Sequence, residues 1–312
     1  MTLTTKGAKM KNLIINLIVF VLSITITENY AQTLTWLGTL PGYEYSSKAT
    51  GVSADGSVVV GWVSTASGES RAFRWTAADG MQDLGTLGGD WSYAYGVSAD
   101  GSVVVGEAWN ASSLPRAFRW TASDSMQDLG TLCGDWSTAT GVSADGSVVV
   151  GSALNVSGQD RAFRWTAADG MQDLSTLGSD YSWGSGVSAD GYVVVGTSPN
   201  SSGQNRAFRW KAQTGMQDLG TLGGVLSVAF SVSADGSVVV GYARNASDHD
   251  RAFLWTATGG MQDLGTLGYD YFWAIGVSAD GSVVVGFPGP FRWTAQTGMQ
   301  DLNQIYAELL QD

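Results

Sequence analysis

Apolar and polar positions along this chain repeat every 45 residues. A Gly-Val-Ser-Ala-Asp-Gly run opens at Gly51, Gly96, Gly141, Gly186 and Gly276, and a Ser-Val-Ser-Ala-Asp-Gly run at Ser231. A strict period of that length marks stacked units, none of which buries its apolar faces alone. Within one unit, residues 81–87 (MQDLGTL) are apolar at Met81, Leu84 and Leu87 and stop at Gly88-Gly89-Asp90. Residues 93–99 then lead into Asp100-Gly101, a hairpin signal. The β-branched run 102–106 (SVVVG) is too short for a helix and predicts a buried strand. After a variable polar loop, residues 116–121 (RAFRWT) predict an aromatic-rich strand closed by a turn at 122–125.

Four short strands per 45 residues predict an all-β fold, a β-propeller of six four-stranded blades. A seven-bladed ring with one reduced blade and an open solenoid are the alternatives. Residues 34–40 (LTWLGTL) and 299–304 (MQDLNQ) both resemble the MQDLGTL strand, which makes seven copies of that strand against six of the others. The expected solution is a ring closed by strand exchange between the termini, with one terminal strand spare or added to an edge. In the tail 305–312, residues 305–311 (IYAELLQ) are expected to form a short closing helix. Folding the third strand back on the fourth sets Thr76 opposite Met81, Trp75 opposite Gln82 and Arg74 opposite Asp83. That register predicts structural ion pairs, repeated as Arg119/Asp128, Arg164/Asp173 and Arg209/Asp218 and lost where Leu254 meets Asp263.

The first 31 residues break the pattern. Lys9 and Lys11 precede an apolar run from Leu13 to about Ile26, and a small residue, Ala31, offers a cleavage point. This predicts a signal peptide over 1–31, a propeller over 32–304 and a secreted or extracellular protein, with the periplasm and the cell surface as variants. The run is short of a membrane span. Removing Lys6, Lys9, Lys11 and Glu28 leaves 13 basic and 27 acidic residues, a net charge of −14. Such a surface does not suit nucleic acid or anionic lipid. The lone cysteine, Cys133, stands where other copies have Gly88 and Gly223, as drift at a turn.

The motifs GVSADGSVVVG, RAFRWT and GMQDLGTLGG, in this order and spacing over about 33–302, resemble the HAF-repeat family of extracellular bacterial proteins. One departure stands out: Arg71, Arg116, Arg161, Arg206 and Arg251 occupy the place where the family name records His. A metal or proton role for a histidine there is not available to this chain. The resemblance implies a free secreted or periplasmic protein and carries no established activity. A looser resemblance to WD40-type blades lies in the Ser-x-Asp-Gly turn and the Trp ending the third strand.

The copies vary in two places, the loop after VVVG and the link after LGTLGG. Propeller topology brings both to one side of the ring, which is what a binding surface on a repeated scaffold shows. The second link holds acid–aromatic pairs at Asp90-Trp91, Asp135-Trp136, Asp180-Tyr181 and Asp270-Tyr271, with Trp183 and Trp273 two residues on. An aromatic face beside a carboxylate suits a sugar ring or a cation, while gap-filling between blades is the structural alternative. Asn110, Asn155, Asn200 and Asn245 open Asn-x-Ser sequons and are read as turn residues. His249 is the only histidine, so neither a Ser-His-Asp arrangement nor a histidine metal site repeats. No cofactor fingerprint occurs, and no blade carries an acid set apart from its equivalents. The expectation is a non-enzymatic module that binds a glycan or protein ligand. A structural cell-envelope or self-associating module is the alternative, and a two-carboxylate propeller glycosidase comes third.

Overall fold

The computed structural model describes residues 35–307, so the signal-peptide segment and the end of the tail lie outside the described residues. Six antiparallel four-stranded sheets follow one another along the chain. In blade 1 they are β1 (Ser46–Val52), β2 (Val58–Ser64), β3 (Ser70–Thr76) and β4 (Gly80–Asp83). Blades 2 to 6 repeat this order over 88–128, 133–173, 183–218, 223–263 and 273–301. The innermost strands of all six blades line one central cavity of about 280 Å³. The fold is the all-β propeller that the repeat predicts.

The hydrophobic core lies between blades. Val58, Val60, Ala72 and Leu84 of blade 1 pack on Ala94, Val104, Ala108, Phe118 and Trp120 of blade 2. The next junction repeats the set as Val103, Val105, Ala117 and Leu129 against Ala139, Val149, Ala153, Phe163 and Trp165. The Val-Val-Val strand therefore faces both neighbours at once, which is why it is apolar at every position rather than at alternate ones. Each buried Phe contributes about 1.5–3 kcal/mol through the area it removes from water.

Every innermost strand carries a bulge. In blade 1, Ala49 pairs with Gly61 and Gly51 with Val60, which leaves Thr50 as the extra residue. Tyr95, Thr140, Ser185, Phe230 and Ile275 are its equivalents. The glycine of VVVG answers the bulge: a Cβ on Gly61, Gly106, Gly151, Gly196, Gly241 or Gly286 would lie 1.9–2.0 Å from a carbonyl oxygen of the bulged strand. Only glycine admits so close an approach of two backbones.

Two sequence expectations are corrected. The third and fourth strands pair one residue away from the expected register: Thr76 faces Gly80, Trp75 faces Met81, Arg74 faces Gln82 and Phe73 faces Asp83. Gly80 has φ +70° and joins the strand, so the turn is one residue shorter than the motif suggests. Arg74 thus has no Asp opposite. Its Nε donates to the Gly101 carbonyl of the next blade at 3.1 Å, as Arg119, Arg164 and Arg209 do to Gly146, Gly191 and Gly236. Asp83 is instead approached by Arg71 at 4.0 Å, and Asp128, Asp173 and Asp218 by Arg116, Arg161 and Arg206 at 3.9, 3.7 and 3.6 Å. With the carboxylates largely exposed, such pairs add little.

The termini also differ from expectation. All six fourth strands lie in their own blades, so among the described residues no strand is spare and none is exchanged. The LGTL (LSTL in blade 3) that follows each of the first five fourth strands is a link rather than part of it. Among the described residues, 35–40 form no strand. They are a sixth link, with Gly38 at φ +82° matching Gly85 at +81°, and Leu37 and Leu40 pack on Val59, Val63 and Phe73. The helix expected over 305–311 falls mostly outside the described residues; the one that forms lies ahead of it, a single turn at Leu302–Ile305 capped by the Asp301 side chain, which accepts from the Asn303 N–H at 2.8 Å.

The Ser-Ala-Asp-Gly turns are self-contained. In blade 1 the Asp55 carboxylate accepts from the Ser53 hydroxyl at 2.7 Å and the Ser57 N–H at 3.0 Å, while Ser53 Oγ accepts from the Val58 N–H at 3.0 Å. These donors hold Asp55, Asp100, Asp235 and Asp280 at a pKa of about 2, below the ordinary 3.8. The backbone N–H leads for the first two and the serine hydroxyl for the last two. Asp145 and Asp190 are lowered in the same direction, led by the Ser143 and Ser188 hydroxyls. A carboxylate with a depressed folded pKa stabilises the fold above its unfolded pKa, and that stability is lost as pH falls through the folded value. The urea midpoint is therefore expected to hold to about pH 4 and fall steadily toward pH 2. A midpoint that is flat across that window would count against the network.

Candidate functional site: the variable face

Both variable segments emerge on one side of the ring and touch across the five internal blade boundaries. Ser70 of blade 1 bridges Trp91 of blade 2, and the Trp91 indole donates to the Gly68 carbonyl at 3.0 Å. Trp183 donates likewise to the Asp160 carboxylate at 3.0 Å. The RAF arginine anchors the link: Arg71 donates to the Asp90 carbonyl, Arg116 to Asp135 and, at 2.9 Å, Arg251 to Asp270. Asn110, Asn155, Asn200 and Asn245 hold the other loop by accepting backbone N–H groups through Oδ1. Cys133 sits at φ +74°, the conformation its glycine equivalents adopt, and is exposed.

The expected binding residues stand on separate blades, with the pair missing from blade 5, where Val225-Leu226 replace it. Asp90, Asp135, Asp180 and Asp270 are exposed, and Trp91, Trp136, Trp183 and Trp273 are half-buried. Tyr181 (43% exposed) and Tyr271 (49%) are the open rings. Tyr181 lies parallel to Trp183 at 6.2 Å, and Tyr271 is tilted against Trp273 at the same separation. The structure therefore spreads these pairs around the rim and does not gather them into one pocket.

Two aromatic clusters go beyond those residues. On blades 1 and 2, Trp62, Tyr93, Trp109 and Trp91 touch in sequence at 5.4–5.8 Å between centroids. On blades 5 and 6, Phe230, Tyr242, Trp273 and Phe287 do so at 5.0–5.7 Å. Edge-to-face contacts at such distances are favourable. Beside the first cluster lies Glu107, whose carboxylate accepts from the Tyr95 hydroxyl at 2.9 Å. Burial pushes the Glu107 carboxyl up, and the hydroxyls of Tyr95 and Thr138 draw it part of the way back. Burial, then the neighbouring Glu107 charge, pushes the Tyr95 phenol up as well.

Glu107 corrects the expectation that no acid is set apart from its equivalents, because Trp62, Ser152, Thr197, Tyr242 and Phe287 hold the same position in the other blades. A signal was present in the residue after VVVG and in the residue before Gly-Val-Ser-Ala-Asp-Gly, which is Thr, Tyr, Thr, Ser, Phe and Ile in turn. Both positions fall inside the two variable segments, at the places where those segments run on into strands.

No protein-family profile matches the chain, and no curated protein does. Solved structures match by fold. TolB from Acinetobacter baumannii superposes with a TM-score of 0.54 at 12% identity, over 77% of this chain and 62% of its own. The β-propeller domain of the Trilobed protease from Pyrococcus furiosus, described as having an open velcro topology, gives 0.54 at 10% identity, over 82% and 83%. A prolyl endopeptidase gives 0.61 at 13% identity, over 82% of this chain and 41% of its own. The chain thus spans less than two thirds of the TolB and prolyl endopeptidase chains. Identities this low show a shared propeller and nothing finer. Among the described residues no helix is long and apolar enough to cross a membrane.

Proposed function

We propose that this is a secreted, non-enzymatic propeller that binds a glycan or protein ligand on its variable face. The carrying observation is the asymmetry of the two sides. On one, the acidic turns are closed by their own serines. On the other, the two variable segments supply the open tyrosines and the rings of both aromatic clusters. Aromatic platforms in a strongly acidic protein suit sugar C–H faces and cationic groups rather than phosphates. A two-carboxylate hydrolase needs a second acid within about 5–10 Å of the first, and the groups that meet Glu107 are the hydroxyls of Tyr95 and Thr138.

A glycan array and a peptide array probed with the mature protein test this reading. Binding that falls at least about tenfold in a Trp91→Ala/Trp136→Ala variant, a cost of about 1.4 kcal/mol, is expected while thermal melting stays cooperative. Binding unchanged in that variant, or no binding on either array, would sink it.

A further inference from the structure

Five of the six blade boundaries are built from the same bonds, and the sixth is not. Ala54 N–H donates to the Ala99 carbonyl at 2.9 Å, and Ala99, Ala144, Ala189 and Ala234 each donate to the next blade's alanine carbonyl at 3.0 Å. Among the described residues no such bond joins Ala279 to Ala54. A Cβ on Gly101, Gly146, Gly191, Gly236 or Gly281 would press on a valine of the preceding blade, whereas one on Gly56 would meet nothing within 4 Å. Arg292 keeps the arginine that in four other blades donates to the next blade's glycine carbonyl, yet none of its described bonds reaches Gly56. The ring carries an open seam between blade 6 and blade 1.

The links explain the gap. At each internal boundary the first leucine of the link donates its N–H to the third strand of the blade behind it: Leu84 to Ala72, Leu129 to Ala117, and on to Leu264 and Ala252 at 2.9–3.0 Å. The sixth acceptor, the Pro290 carbonyl, is taken by Leu302 at 2.8 Å. Leu37, whose link precedes blade 1, therefore has no such anchor, and its neighbour Trp36 is 78% exposed. The seam holds two links, Leu37/Leu40 on blade 1 and Leu302 on blade 6, where every other boundary holds one.

We propose that the seam is a closable clasp, held open by the N-terminal link 35–45, and that the ring closes when this link leaves blade 1. The two lips are largely complementary: Val283, Val285 and Leu302 on one and Val59, Phe73 and Trp75 on the other repeat residues that pack at the internal boundaries, with Pro290 in place of Ala72 and Val63 in place of Ala108 as the departures. Tethering in one chain gives the lips a high effective concentration for each other. Leu302 is already seated on blade 6, so the N-terminal link is the one to go. Pro290 has no N–H for the serine bridge seen at Ala72 and Ser92. The boundary between blades 5 and 6 also does without that bridge, because Phe272 replaces the serine.

The test uses Lys48 and Phe287, which occupy the positions that meet across closed boundaries as Trp62 with Tyr93 and Tyr242 with Trp273, at 5.4 and 5.1 Å. In a Cys133→Ser background, Lys48→Cys/Phe287→Cys is oxidised with and without Leu37→Asp/Leu40→Asp. Release of the link is expected to raise the rate of intramolecular disulfide formation at least about tenfold, equivalent to 1.4 kcal/mol in the closing equilibrium, and Arg292→Ala to reverse part of the gain. Equal rates with and without the link overturn the clasp, and disulfide-linked dimers overturn it in favour of a second copy at the seam. If the Asp variant loses its native circular dichroism, Leu37→Ala/Leu40→Ala carries the comparison. Loss of fold in both shows the link to be part of blade 1 and overturns the proposal.

Discussion

Gly151→Ala is expected to cost about 3 kcal/mol, at the upper end of what forcing extra volume into a packed interior does. The added Cβ would lie 2.0 Å from the Thr138 carbonyl oxygen, 2.9 Å from Ala139 Cα and 3.0 Å from the Phe163 ring. Two of those three neighbours are backbone atoms of the adjacent strand. That strand cannot retreat without breaking its ladder or moving into the central cavity. Gly158→Ala is the control: Gly158 has φ +71° and open space around it, so the change adds only local backbone strain of about 1–2 kcal/mol. Urea denaturation of the two variants decides the matter. Equal midpoints would mean that the bulge yields and the close approach is no constraint.

Phe118→Ala is expected to cost about 3–5 kcal/mol, the range for removing a buried aromatic side chain and leaving its cavity. Phe118 is fully buried among Val58, Val60, Ala72 and Leu84 of the preceding blade and Val104 of its own. Its loss weakens the boundary between blades 1 and 2 rather than the sheet that carries it. In a chain of units held by nearest neighbours, such damage splits the unfolding transition. A broadened or two-step melt is therefore expected along with a lower midpoint. A single sharp transition at the wild-type temperature would show that neighbouring blades support the boundary well enough without the ring.

The period made the blades legible, because motifs that recur in register must be the same element each time. RAFRWT, GMQD and VVVG, or near copies of them such as RAFLWT, FRWT and SMQD, are the third, fourth and second strands in all six blades. What the sequence concealed was geometry that depends on a single residue. The hairpin register moved by one because Gly80 accepts a positive φ and pairs with Thr76. The link LGTL looked continuous with its strand, since its leucines keep the strand's apolar spacing while facing the next blade. For the site, the variable loops were readable as one face by topology alone. Glu107 and the bulge residues were not, because they lie where a variable segment runs on into a strand, and variation alone does not separate a buried strand position from a loop position.

The open seam also bears on how such a chain can change length. Each blade carries its own link in front of it, and among the described residues neither end borrows a strand from the other. Tandem duplication or loss of one 45-residue unit would leave every boundary matched and both termini as they are. A ring sealed by a shared strand offers no such freedom, because its first and last segments must meet after a fixed number of steps. Unequal recombination between near-identical repeats would here yield foldable products of different circumference.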